Sequence, residues 1–223
     1  MSSFITQLAA AYQEHASDEN AVAMAKYMKG LFPFFGIKTK LRRTLHKKSV
    51  EENKAEISRE ARSIALELYE KPQREFHYSA IEILIKELNK KFIPEDIGLI
   101  EHLLITNSWW DSVDTISKYL LGAYLKQFPQ ETDKIIAKFS ASDNMWLNRA
   151  AILFQLAYKK DTNVQLLFRE CEKHRASKEF FIQKAIGWAL REYAKTDPEA
   201  VRNFVAKAGL KPLSTREALK NIN

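Results

Sequence analysis

Trp110 and Asp114 stand four residues apart in SWWDSVD, the spacing that makes two side chains neighbours on a helix. Trp188 stands four residues after Lys184 and three before Arg191, so its indole keeps the company of cations. Arg149 falls between these two groups in the chain. An acid beside an indole and an indole among positive charges are groups that a polar or charged ligand can use.

Helical periodicity places them off the core. In the helix expected near Lys178, Ile182, Ala185, Ile186, Ala189, Leu190 and Tyr193 form one apolar stripe, with Trp188 roughly 130° from its centre at 100° per residue. Phe181, Lys184, Arg191 and Lys195 share the side of Trp188. After Ser108, Trp109, Val113, Ile116, Leu120 and Tyr124 make the packing face, and Trp110 and Asp114 lie about 90–130° away. After Ser142, Leu147, Ala150, Ala151, Phe154 and Tyr158 define a core from which Arg149 projects by roughly 120°. Ser108 and Asp111 read as a capping box that starts the first of these helices. Each residue alone has a plainer account. An off-core Trp can lid a second packing surface, and Asp114 can be a first-turn carboxylate favoured by the helix dipole.

The positions recur with the chain. Thr39, Pro72, Ser108, Ser142, Ser177 and Ser214 follow one another at about 35 residues, each ahead of a helical run and each an expected N-cap or N1 residue. Two helices fit each interval. The expected fold is all-α: a superhelical solenoid of HEAT-like helix pairs with a concave basic groove, in one domain spanning residues 1–223. The alternative is an irregular helical bundle. Pro94, Pro129 and Pro198 mark helix boundaries, and the polar segment KSVEENK (48–54) reads as a loop.

Composition bounds the function. The 223 residues carry 35 Lys and Arg against 28 Asp and Glu, a net charge of +7 that favours a polyanionic partner such as nucleic acid. Lys38, Lys40, Arg42, Arg43, Lys47 and Lys48 have no acid among them and suit either solvent or phosphate. Cys171 is the one cysteine, so an intramolecular disulfide and a Cys-rich zinc site are excluded, and it reads as a small packed residue. The five histidines form no HxxxH or HExxH spacing, and P-loop, dinucleotide-turn and GxSxG patterns are missing. No signal-peptide pattern or membrane-length apolar run occurs, so a cytoplasmic protein without a membrane partner is expected.

SWWDSVD (108–114), SDNMWLNRAAILFQL (142–156) and SKEFFIQKAIGWALREYAKTDP (177–198) resemble the hallmark segments of the AlkD-like DNA alkylation-repair glycosylases. MAKYMKG (24–30) and FFGIKTKLRR (34–43) resemble that family's N-terminal signature, so the likeness covers essentially the whole chain. It implies that Asp114, Trp110 and Trp188 form the active site, that Arg149 and Arg191 hold the DNA backbone near the lesion, and that Thr39 and Arg43 meet phosphates further along; Lys184, beside Trp188, and Lys38, beside Thr39, are expected as further DNA contacts by their charge. Lys40 departs from the Pro that the family tends to carry after the Thr, and Lys38 replaces a neutral residue.

The implied partner is double-stranded DNA carrying cationic N3- or N7-alkylated purines, excised to leave an abasic site with no metal or cofactor; a monomer is expected, since the groove needs only one chain. Such a base leaves without protonation, so one carboxylate suffices where glycoside hydrolysis ordinarily uses two. Glycosylases generally flip the target base into a pocket; the resemblance implies a grip on the backbone instead. Two other readings fit the same residues: a non-catalytic module for bent, branched or damaged DNA, and a helical-repeat scaffold with an acidic protein partner.

Overall fold

The computed structural model describes residues 2–220, all helix and connecting turn, in two compact units that meet in sequence between Lys91 and Phe92. The first unit contains α1 (Ser3–Glu14), α2 (Asp18–Tyr27), α3 (Thr39–Glu52), α4 (Lys54–Tyr69) and α5 (Arg74–Glu87). Ser2 and Ser17 cap α1 and α2 with their side chains. The α4–α5 pair forms the body, with α1 packed on α3 and α4. Phe4, Leu8, Tyr12, Ile64, Leu68, Phe76 and Leu84 fill the core between them. The loop entering α3 is held from below: buried Glu75 accepts from the backbone N–H groups of Phe35, Gly36 and Ile37 at 3.0–3.2 Å. Gly36 has φ +85°, and a Cβ there would lie 2.1 Å from the carbonyl oxygen of Ser17, so only glycine fits.

The second unit contains α6 (Asp96–Ile105), α7 (Trp110–Thr115), a π-helical turn (Ile116–Leu121), α8 (Gly122–Gln127), α9 (Thr132–Ser140), α10 (Met145–Leu153), α11 (Val164–Lys173), α12 (Phe180–Tyr193), α13 (Pro198–Ala208) and α14 (Pro212–Ala218). Helix α10 packs on α6, α7 and α9 on one side and on α11 and α12 on the other; α12 then packs on α13 and α14. Neighbour meets neighbour, as helix pairs stacked in order require. The helices that open each repeat begin at residues 39, 74, 110, 145, 180 and 212, which reproduces the spacing of about 35 and its two helices per interval.

The boundaries differ from the sequence reading in their caps. Ser108 and Asp111 form no capping box: Trp109 is the N-cap of α7, without a side-chain cap bond, and the Ser108 hydroxyl donates to the Leu104 carbonyl at 2.6 Å. Asn144, two residues past Ser142, caps α10 by accepting from the Trp146 N–H at 2.9 Å. Ser177 and Pro72 lie just outside their helices, Thr39 is the first helical residue after Lys38, and Ser214 sits inside α14, buried, donating to the Gln183 carbonyl. The segment 48–54 is no loop either. It stays helical through Glu52, and Asn53 both ends α3 and precedes α4. Polarity marked the exposed surface of a helix pair there. Pro129 and Pro198 do open helical turns, Pro94 lies between α5 and α6, and Cys171 is fully buried. Among the described residues no helix is long and apolar enough to cross a membrane.

Candidate active site

The site begins with the turn that separates two adjacent tryptophans. Trp109 is extended (φ −154°, ψ 162°) and Trp110 opens α7, so one residue's change of backbone conformation sends the two indoles apart. Trp109 enters an aromatic cluster with Trp146 and Phe181, at ring-centroid distances of 5.7 and 5.1 Å, in edge-on geometry. Its indole nitrogen is buried without a hydrogen-bond partner. Trp110 is half-buried, and Asp114 comes one turn later with 13% of its side chain exposed.

Asp114 is met by the one cation that α10 directs inward. Arg149 Nε donates to Oδ1 at 2.7 Å and Nη2 to Oδ2 at 2.9 Å, a fork-to-fork pair. Arg149 Nη1 donates to the backbone carbonyl of Phe181 on α12, and the guanidinium carbon lies 5.9 Å from the Phe181 ring centroid. One side chain therefore ties α7, α10 and α12 together. Burial pushes the Asp114 carboxyl above its ordinary value, and the Arg149 pair pulls the other way.

This corrects the expectation that Arg149 projects from the core. The wheel placed it off the apolar stripe, yet it is 4% exposed with its guanidinium committed inside the protein. An off-stripe position between two packed helices is interior, and the charge is admitted because Asp114 neutralises it. Arg191 and Lys184 are likewise engaged. Arg191 Nη1 donates to Glu217 Oε2 at 2.7 Å and to the Glu217 carbonyl at 3.0 Å, and Lys184 Nζ lies 3.0 Å from Glu217 Oε1. Both side chains stay partly exposed, at 27% and 37%. Trp188, between them on α12, is half-buried and packs partly on the core around Ile152, Ile182 and Leu190.

The structure thus joins Asp114 to Arg149, and Lys184 and Arg191 to each other through Glu217, a residue the sequence reading missed. Lys38, Thr39 and Arg43 are exposed at the start of α3 in the first unit. Of the basic run there, Arg42 is not a surface cation: it is buried and forked onto Glu82 at 2.6 and 3.0 Å, and Arg43 Nε reaches the same carboxylate at 3.1 Å. Among the described residues no cluster of three or more His, Cys, Asp or Glu side chains could hold a metal ion.

The family model for DNA alkylation repair enzymes matches residues 8–222. A solved structure described as a predicted DNA alkylation repair enzyme from Enterococcus faecalis is 34% identical, with a TM-score of 0.81, covering 93% of this chain and 96% of that one. The structure of smu.31 from Streptococcus mutans UA159 is 18% identical with a TM-score of 0.58, over 82% of this chain and 98% of that one, which speaks for the fold alone. No curated protein matches. With the match running over nearly its full length, this chain belongs to the DNA alkylation repair enzyme family.

Proposed function

We propose that the protein is a monofunctional DNA glycosylase that hydrolyses the N-glycosidic bond of cationic N3- or N7-alkylated purines in duplex DNA, using Asp114 with Trp110 and Trp188. The observation that carries this reading is the Asp114–Arg149 pair. A buried ion pair contributes little to stability against a packed apolar alternative, so a carboxylate kept at the rim of a packed site by a buried arginine points to a use for its charge.

The leaving group dictates the chemistry. An alkylated purine carries its positive charge into the bond, takes the C1′–N electron pair as it departs, and leaves neutral. The sugar is left with oxocarbenium character at C1′. An ionised Asp114 stabilises that charge and orients the attacking water, receiving its proton as the new C1′–O bond forms. Arg149 favours the ionised form of Asp114 against burial and holds it in one orientation. The two indoles would attract the cationic nucleotide through their faces, worth about 0.5–2 kcal/mol each. Lys184, Arg191, Lys38, Thr39 and Arg43 are the proposed phosphate contacts.

The test is release of 7-methylguanine from methylated duplex DNA under single-turnover conditions. Asp114→Asn should lower the rate by at least about a hundredfold, the scale of losing a charge stabiliser, while duplex binding persists. The same variant should melt earlier, because Arg149 loses its counter-charge. Wild-type release by Asp114→Asn would remove Asp114 from the mechanism. A wild-type protein that binds methylated duplex and releases no base would favour the non-catalytic damage-binding reading.

A further inference from the structure

The approach of α14 to α12 is set at one residue. A Cβ added to Gly187 would lie 2.4 Å from the Cβ of Glu217 and 3.0 Å from the Ser214 carbonyl oxygen, so the absence of a side chain at 187 lets α14 seat where it does. Ser214 and Ala218, both fully buried, fix that seat. Gly187 is three residues after Lys184 and four before Arg191, so a group resting on it falls between those two side chains. Glu217 occupies that place. One carboxylate oxygen takes Lys184 at 3.0 Å and the other takes Arg191 at 2.7 Å. Arg191 makes both hydrogen bonds from Nη1, which leaves the Nε and Nη2 donors of its fork out of the bonding to Glu217.

We propose that Glu217 is a positioning residue for the DNA-binding face: it fixes Lys184 and Arg191 on either side of Trp188 and orders them for the phosphates flanking the lesion, while placing one negative charge close to the DNA. This rests on the glycosylase reading above. A forked arginine held along one edge presents the other edge in a fixed direction, which is how an outer partner orients a contact residue. The neighbouring cations hold the Glu217 carboxyl down to about 2, so it carries its charge whenever the protein is folded near neutrality.

Order and charge then pull in opposite directions, which makes the idea testable. Glu217→Gln removes the charge and loosens both cations. Undamaged duplex DNA should bind more tightly, with the slope of log K against log salt steeper by about 1. Single-turnover release of 7-methylguanine should nevertheless fall roughly tenfold at saturating enzyme, since misplaced contacts cost rate rather than binding. Glu217→Asp keeps the charge on a shorter arm; it should restore the wild-type salt slope but leave release slow. Melting temperatures of both variants show whether α14 stays seated, and if Glu217→Gln unfolds, the Glu217→Asp result decides. A Glu217→Gln protein with wild-type slope and wild-type release overturns the inference. So does parallel loss of binding and release, which is what a merely structural role gives. If the wild-type protein itself neither binds duplex DNA nor releases base, the glycosylase reading falls and this one with it.

Discussion

At the scale of single residues, the pair of Asp114 and Arg149 decides how the site responds to pH. Burial raises the Asp114 pKa and Arg149 opposes the rise. If excision needs the ionised carboxylate, the rate falls on the acid side as pH drops through that raised value. Arg149→Lys replaces a two-point fork with one ammonium, which loosens the pair and weakens the opposition to burial. The pKa of Asp114 then climbs further, and the acid limb of the single-turnover rate should move to higher pH. A variant profile that overlays the wild type would show that Arg149 does not tune Asp114. Losing the cation altogether, as in Arg149→Ala, leaves a buried carboxylate unpaired and should cost about 3–5 kcal/mol of stability by denaturant unfolding. The sequence made Trp110 and Asp114 neighbours, because i and i+4 are adjacent on any helix. It could not show Arg149 joining them, since the two residues are 35 positions apart.

At the scale of elements, the second unit holds a feature that the apolar pattern concealed. The stripe from Trp109 to Tyr124 reads as one helix, and the chain there folds as α7, a π-helical turn and α8. Within that stretch the Ser117 hydroxyl donates to the Val113 carbonyl at 2.6 Å and Thr115 to the Asp111 carbonyl at 2.9 Å, side-chain bonds that compete with the regular ladder. A π turn adds one residue to the turn and rotates the two flanking helical segments by about 100° relative to a continuous α-helix. It begins two residues after Asp114, while α8 is fixed behind it: a Cβ on Gly122 would lie 2.5 Å from the Phe154 carbonyl oxygen, and the Tyr158 hydroxyl donates to the Gly122 carbonyl at 2.7 Å. The π turn therefore sets the rotation of α7 and the direction of Trp110 and Asp114. Deleting Tyr119, which is 45% exposed, should convert the turn to α-helix and leave the helical circular dichroism near wild type. Release of 7-methylguanine should drop by about a hundredfold, the cost of misplacing a reacting group. Unchanged release in a folded deletion variant would refute that coupling.

At the scale of the whole molecule, the net charge of +7 is the property that bears on DNA. The exposed cations at the start of α3 belong to it, although Glu82 already holds part of Arg43. Replacing Arg43 with Ala should flatten the salt dependence of duplex affinity by about 1 in log–log slope, equally for damaged and undamaged DNA. A slope that does not move would show that Arg43 makes no phosphate contact. The sequence by itself determined the helical class, the repeat near 35, the core stripes and the neighbours on each helix. All of these are set by local periodicity, which short-range geometry enforces. Only the tertiary structure decided which charges are neutralised internally. Arg42, Arg149, Arg191 and Lys184 look alike on a helical wheel, yet the carboxylates that claim them come from other helices: Glu82, Asp114 and Glu217. Those partners are chosen by how closely helices pack, down to a missing methyl group at Gly187, and no single helix carries that information.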